Sequence, residues 1–172
     1  TVLEMEDRQD EDGLFGPIRS ETDRASRNVL VFRMNGGNRI IIRPSGTEPR
    51  CKIYVETTGE VGGDLTLLKR RLAIESKTMA HAFTQLVLQR VGIELPDWAL
   101  EISDLVSIEE RLEWCNALIP ELASRIRDAP DDLPDWLNRN LGADRREQLK
   151  PGIQALARTN NELGKVLLPY FS

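Results

Sequence analysis

The sequence predicts an α+β protein in which a small antiparallel sheet with helices is followed by an all-α helical region. Three segments rich in β-forming residues, 28–35, 39–44 and 52–57, lie close together and are separated by short connections. Helical periodicity begins after Gly63 and continues to the end of the chain. Because the pattern changes only once, we expect the strands and most of the helices to be segregated along the chain.

The β-rich segments also predict how the sheet is connected. A short first strand is expected near Val2–Met5, followed by a long polar loop. Gly36 and Gly37 separate the next two strands, at the point where a tight hairpin turn needs positive φ. Consecutive strands with such short connections pair antiparallel.

One long helix is expected after the sheet. Asp64 can cap it, Gly92 ends it, and apolar residues recur between them with helical spacing. Such a helix is about 40 Å long, which exceeds the width of a three- or four-stranded sheet. We therefore predict that its second half packs elsewhere, and we place a domain boundary between residues 1–78 and a helical extension, residues 79–172.

The extension carries several helix-start signals. Ser107 and Glu110 form a capping box that opens an amphipathic segment, which we expect to bend at Pro120. The sequence Leu-Pro-Asp-Trp occurs twice, at 95–98 and 133–136, and both copies are interpreted as helix starts with a tryptophan anchor. A last helix is predicted from Pro151 to Leu168. The tryptophans are expected to fill the helical core or its edge: Trp98, Trp114 and Trp136.

Charge is distributed unevenly along the chain. The net charge of −5 argues against a general nucleic-acid binder. Residues 25–59 nevertheless carry six bases and two acids, a local excess of +4 in an acidic protein. Such a basic region can attract an anionic ligand.

Cysteine content and hydropathy suggest a compartment. Cys51 and Cys115 are the only cysteines, too few for a disulfide framework or a zinc site. No apolar run approaches the roughly 20 residues that span a bilayer, and no signal peptide is visible. We expect reduced thiols and a cytoplasmic protein. His81, the single histidine, is expected to be structural or on the surface, and Cys51 to be packed.

The loop from Arg43 to Pro49, Arg-Pro-Ser-Gly-Thr-Glu-Pro, is the candidate for chemistry. An arginine can donate two parallel hydrogen bonds to a phosphate, and the hydroxyls of Ser45 and Thr47 can donate others. Gly46 lets the backbone turn and approach an anion closely. Glu48 is expected to brace the loop by pairing with Arg43 or a backbone N–H. The same residue types are common in turns, so a structural hairpin connection is the alternative.

The stretch "RPSGTEPRCKIYVE", with "TDRASRNVLVFRMNGGNRIII" before it, resembles the phosphate-binding loop of the α-D-phosphohexomutase superfamily, the phosphoglucomutases and phosphomannomutases. The resemblance covers roughly residues 20–75. It implies the small TBP-like fold of the family's C-terminal domain and a phosphosugar substrate, a hexose or pentose phosphate. By motif position it implies that the non-transferring phosphate is bound by Arg43, Ser45, Gly46 and Thr47, with Lys52 as a further basic contact.

The resemblance also implies what this chain lacks. The family's phosphoserine, magnesium and sugar-binding loops are not found in this sequence. We expect the strand and helix that open the family's C-terminal domain to be missing or truncated here as well. We expect the C-terminal part of a phosphosugar mutase, inactive alone, whose partners are upstream catalytic domains that bind Mg²⁺. The alternative is a helical interaction module carrying a non-catalytic phosphate-binding domain, with a homodimer formed through the helical region.

Overall fold

The computed structural model describes residues 1–47, 50–159 and 161–171. The chain divides into two compact units, Thr1–Thr84 and a second one that begins at Gln85. The first contains the sheet and most of the long helix, and the second is helical. The predicted fold class is confirmed, since a small antiparallel sheet is followed by helices.

The sheet has four antiparallel strands in the order of the chain: β1 Val2–Asp7, β2 Leu30–Met34, β3 Arg39–Pro44 and β4 Cys51–Glu56. Between β2 and β3, Gly36 and Gly37 have φ of 75° and 77°, as the predicted tight turn requires. Asn38, only 7% exposed, stabilises this turn. Its amide accepts from the Thr58 N–H at 2.9 Å and donates to the Glu75 carboxylate at 3.0 Å.

The expected long loop after β1 contains a helix that the sequence analysis missed, α1 Glu21–Ser26. The Ser20 hydroxyl caps it by accepting from the Asp23 N–H at 3.0 Å. The Asp23 carboxylate then accepts from the Arg27 guanidinium at 2.7 Å. Local capping, rather than an apolar stripe, therefore explains why so short a polar segment is helical.

The long helix α2 runs from Leu65 to Arg90. The Asp64 carboxylate caps it, accepting from the Thr66 N–H at 2.7 Å, and Gly92 ends it with a φ of 75°. Both signals were predicted. Within the first unit the helix covers one face of the sheet, where the rings of Phe32 and Phe83 lie 5.7 Å apart. The division between the two compact units falls inside α2, after Thr84.

The described part of the second unit contains six further α-helices: α3 Asp97–Leu100, α4 Ile108–Glu113, α5 Ile119–Asp128, α6 Leu133–Asn140, α7 Gly142–Arg158 and α8 Glu162–Leu167. The Ser107 hydroxyl caps α4 as predicted, accepting from the Glu110 N–H at 3.2 Å. Both Leu-Pro-Asp-Trp copies open helices, as expected. Trp114 is buried in the core, while Trp98 and Trp136 are half-buried at its edge.

The amphipathic segment that Ser107 opens is not one regular α-helix. A π-helical turn, Trp114–Leu118, joins α4 to α5 just before Pro120, where the sequence predicts a bend. Because Pro120 has no N–H, the carbonyl four residues earlier loses its usual donor, and wider pairing relieves that loss.

The predicted single helix from Pro151 to Leu168 is instead divided between α7 and α8. The Asn161 side chain starts α8 by accepting from the Gly164 N–H at 3.3 Å. At Gly164 the two helices touch so closely that an added Cβ would lie 2.5 Å from the Ala157 nitrogen. The helix break and this glycine are therefore parts of one close helix crossing.

Candidate functional site

The candidate loop continues directly from the β3–β4 hairpin. Pro44 pairs with Cys51 at the end of the ladder, and the Ser45 N–H donates to the Arg50 carbonyl at 2.7 Å. The paired strands therefore fix both ends of the loop. Glu48 and Pro49 lie outside the described residues, and so does the predicted bracing by Glu48.

Arg43 and Lys52 lie directly opposite each other on β3 and β4. Opposed residues in an antiparallel pair have Cβ atoms about 4.5–5.5 Å apart and share one face of the sheet. Both side chains are exposed. In the described parts of the chain, no ion pair or side-chain hydrogen bond engages either one. Two like charges in this position destabilise a sheet unless an anion compensates them.

Other cations on the same sheet have partners. Arg39, at the far end of the same ladder, pairs with Glu56 directly opposite. Arg33 on β2 contacts the carboxylates of Glu4 at 3.5 Å and Glu6 at 3.1 Å. Among the described residues, the cations without an acidic partner on this sheet are thus at the end of the ladder that carries the candidate loop.

The two faces of the β3–β4 hairpin have different surroundings. Ile40, Ile42 and their partners on β4 lie on the face that α2 covers. Side chains alternate along a strand, so Arg43 and Lys52 share the opposite face with Ile41 and Tyr54. Tyr54 is 46% exposed there. Sequence reasoning did not single it out, although its place two residues after Lys52 follows from strand alternation.

The described loop residues offer polar groups to solvent. Ser45 is half-buried, while Gly46 and Thr47 are exposed. No side-chain hydrogen bond within the described chain engages the hydroxyl of Ser45 or Thr47. Gly46 does not have a positive φ, and a Cβ added there would meet no atom of the described residues within 4 Å. Neither the backbone conformation nor the described neighbours therefore require glycine at this position.

The other reactive side chains lie in ordinary surroundings. Cys51 is exposed beside the loop, so the expectation that it is packed is wrong. Burial raises the pKa of Cys115 to about 11, which keeps that thiol protonated near neutral pH. His81 is half-buried in α2. The described residues contain no group of three or more histidine, cysteine, aspartate or glutamate side chains that could hold a metal ion. Nor does any described helix have the length and apolarity needed to cross a membrane.

Comparison with known proteins finds similarity in the sheet unit. Residues 2–63 match the family model for the phosphoglucomutase/phosphomannomutase C-terminal domain, so the resemblance predicted from the loop motif is confirmed. A curated protein from Haemophilus influenzae, named "Probable phosphomannomutase", is 50% identical over 40 residues. That stretch covers 23% of this chain and 8% of the relative, so the chain matches only a small part of that protein's length. No solved structure matches.

Proposed function

We propose that residues 1–78 bind the non-transferring phosphate of a phosphosugar in a phosphoglucomutase- or phosphomannomutase-type enzyme. The enzyme moves a phosphoryl group within one hexose or pentose phosphate. The observation that carries the proposal is the opposition of Arg43 and Lys52, for which the described residues provide no anionic partner. The match of the surrounding sheet to the mutase C-terminal domain supports it.

Each residue has a distinct role in this proposal. The planar guanidinium of Arg43 donates two parallel hydrogen bonds to phosphate oxygens, and the Lys52 ammonium adds a second positive charge. Ser45 and Thr47 donate their hydroxyls, and the backbone N–H groups around Gly46 complete the contacts. Charge-assisted hydrogen bonds contribute about 1.5–3 kcal/mol each. Because this phosphate does not react, its binding energy serves to position the reacting oxygen.

The phosphoryl carrier and its metal belong elsewhere in the proposed enzyme. Upstream domains of the same protein would supply a phosphoserine and bind Mg²⁺, which would polarise the transferring phosphoryl group. Closure of the phosphate-binding domain over the substrate would exclude water and protect the bisphosphorylated intermediate from hydrolysis. We further propose that the enzyme is cytoplasmic and that this chain alone has no mutase activity.

Titration of the wild-type chain with inorganic phosphate, followed by amide chemical shifts, tests where the anion binds. The expected shifts concentrate at Ser45, Gly46, Thr47 and Lys52 and are lost in Arg43→Ala. Arg39→Ala is the matched control, because Arg39 lies on the same strand but pairs with Glu56. Shifts of equal size in the two variants, or shifts spread over all exposed arginines, would contradict a specific phosphate site.

A second candidate function concerns residues 79–172, which we propose as an interaction or dimerisation module. The observation that favours it is that several apolar side chains of the helical unit are individually exposed: Leu86, Val87, Val91, Leu105 and Val166. Sedimentation of the wild-type chain and of a chain truncated after residue 78 tests it. A dimer that is lost on truncation supports the module. A wild-type monomer whose truncated form keeps its solubility and melting behaviour contradicts it.

A further inference from the structure

Tyr54 occupies an unusual position beside the candidate phosphate site. It lies on β4 opposite Ile41 and is 46% exposed, whereas its neighbours Ile53 and Val55 are half-buried on the face that α2 covers. None of the ring contacts or side-chain hydrogen bonds of the described chain involves Tyr54. An aromatic ring is thus presented to solvent on the same face as the two uncompensated cations.

The spacing of the ladder matches the size of a phosphosugar. Tyr54 follows Lys52 by two residues, which is about 6.5–7 Å along a strand. It is also a diagonal neighbour of Arg43, at roughly 7–8 Å. In a sugar phosphate the phosphorus is joined to the ring through one oxygen, or through one oxygen and one carbon. A phosphate bound between Arg43 and Lys52 therefore brings its sugar ring within reach of the Tyr54 ring.

The chemistry of the two rings is complementary. One face of a pyranose presents several C–H bonds, whose hydrogens are slightly positive. The face of an aromatic ring is negative, and tyrosine combines a large apolar surface with a hydroxyl that can remain in water. The backbone of β4 is already fixed by pairing with β3, so binding has only the side-chain torsions of this ring to order.

We infer that Tyr54 is a sugar-positioning residue of this site, on which the ring of a bound phosphosugar packs. The inference rests on the proposed function, because it requires a phosphate between Arg43 and Lys52. Packing on Tyr54 makes the site selective among phosphate ligands, which the two cations alone do not. The site then binds cyclic sugar phosphates more tightly than inorganic phosphate or an acyclic phosphate ester. If Tyr54 is present only because aromatic residues favour β-strands, binding affinity does not depend on whether the ligand contains a sugar ring.

The test compares three ligands on three forms of the chain. Glucose 6-phosphate, glycerol 3-phosphate and inorganic phosphate are titrated calorimetrically into the wild type, Tyr54→Leu and Tyr54→Phe. We expect Tyr54→Leu to weaken glucose 6-phosphate binding by about twofold to tenfold. Binding of the other two ligands should not change. Tyr54→Phe keeps the ring and should retain wild-type affinity for all three, and melting temperatures confirm that each variant is folded.

Two results would overturn the inference. One is equal weakening of all three ligands in Tyr54→Leu, which would assign Tyr54 to the structure of the phosphate site rather than to the sugar. The other is unchanged glucose 6-phosphate binding in Tyr54→Leu. In both cases a loss of binding in Arg43→Ala leaves the proposed phosphate site standing. If the wild type binds none of the ligands, the proposed function and this inference fail together.

Discussion

Arg43 and Lys52 face each other across the β3–β4 ladder, and no acidic side chain of the described residues pairs with either. At the other end of the same ladder, Arg39 faces Glu56 and contacts it. Within the described residues, one hairpin thus contains a cation paired with an acid and a pair of opposed cations without an acidic partner. Substituting Arg43 in one pair and Arg39 in the other therefore distinguishes a role in ligand binding from a role in the stability of the fold.

Removing the charge of Arg43 should leave the fold intact. Because Arg43→Ala abolishes a like-charge cross-strand pair, we expect the free energy of unfolding without ligand to change by no more than about 0.5 kcal/mol. Urea unfolding in a buffer without phosphate or sulfate measures this. A loss of several kcal/mol would instead assign Arg43 to the structure of the hairpin.

Two glycines provide a matched pair of alanine variants. Gly46→Ala should leave the melting temperature unchanged or slightly raised, because its Cβ meets no described atom within 4 Å and its φ is not positive. The same variant should weaken phosphate binding, since the added methyl group lies where the anion approaches the backbone. Gly164→Ala should lower the melting temperature markedly, because its Cβ would lie 2.5 Å from the Ala157 nitrogen. Gly46→Ala with unchanged phosphate affinity would remove Gly46 from the site.

Arg111 holds part of the helical unit together. This guanidinium is only 6% exposed and donates to the carbonyls of Ala99 at 3.0 Å, Ser103 at 3.0 Å and Val106 at 3.2 Å. Arg111→Met should cost about 3 kcal/mol or more in urea unfolding, because it leaves several carbonyls without donors. Arg145→Met, which removes an exposed arginine paired with Glu110, should cost less than about 1 kcal/mol. Equal effects of the two variants would contradict this account of Arg111.

The two thiols should react at very different rates. Cys51 is exposed, whereas Cys115 is half-buried and its pKa is raised to about 11 by burial. Because the thiolate is the nucleophile, iodoacetamide at pH 8 should label Cys51 and leave Cys115 unmodified until the chain is unfolded. Peptide mass spectrometry with and without denaturant measures the labelling. Rapid labelling of Cys115 in the native chain would show that the helical core opens readily.

Acid should weaken the α1 region through Asp23. The Arg19 N–H and the Arg27 guanidinium hold the pKa of this carboxyl below its usual range. A depressed folded-state pKa contributes stability above the carboxyl's ordinary pKa, and that contribution is lost as pH falls through the folded-state value. Asp23→Asn should therefore melt at a lower temperature than the wild type at pH 7, with a smaller difference at pH 3. A difference that does not depend on pH would exclude this linkage.

The sequence predicts the sheet well because its signals are local. Alternating β-formers, the paired turn glycines and the Asp64 cap each act within a few residues, and all three appear in the structure. The division of the last helical segment into α7 and α8 and the buried position of Arg111 were not predicted. Both depend on tertiary contacts, which helical periodicity does not encode.

The candidate site likewise combines features that local sequence signals predict with features that depend on the folded structure. The loop motif identifies Arg43, Ser45, Gly46, Thr47 and Lys52 as candidates, but strand register is needed to place Arg43 opposite Lys52. The same register places Tyr54 on their face of the sheet. Exposure and missing partners are three-dimensional properties, so neither Tyr54 nor the contrast between Arg43 and Arg39 could be evaluated from residue types alone.

The most direct test of the phosphate-binding account is calorimetric titration of glucose 6-phosphate into the wild type, Arg43→Ala, Arg43→Lys and Arg39→Ala. We expect Arg43→Ala to weaken binding by about tenfold to a hundredfold, in line with the loss of a charge-assisted contact. Arg43→Lys should restore it only in part, because an ammonium cannot make the planar two-bond contact. Arg39→Ala should bind like the wild type. Equal affinities of the wild type and Arg43→Ala, both folded, would contradict the account.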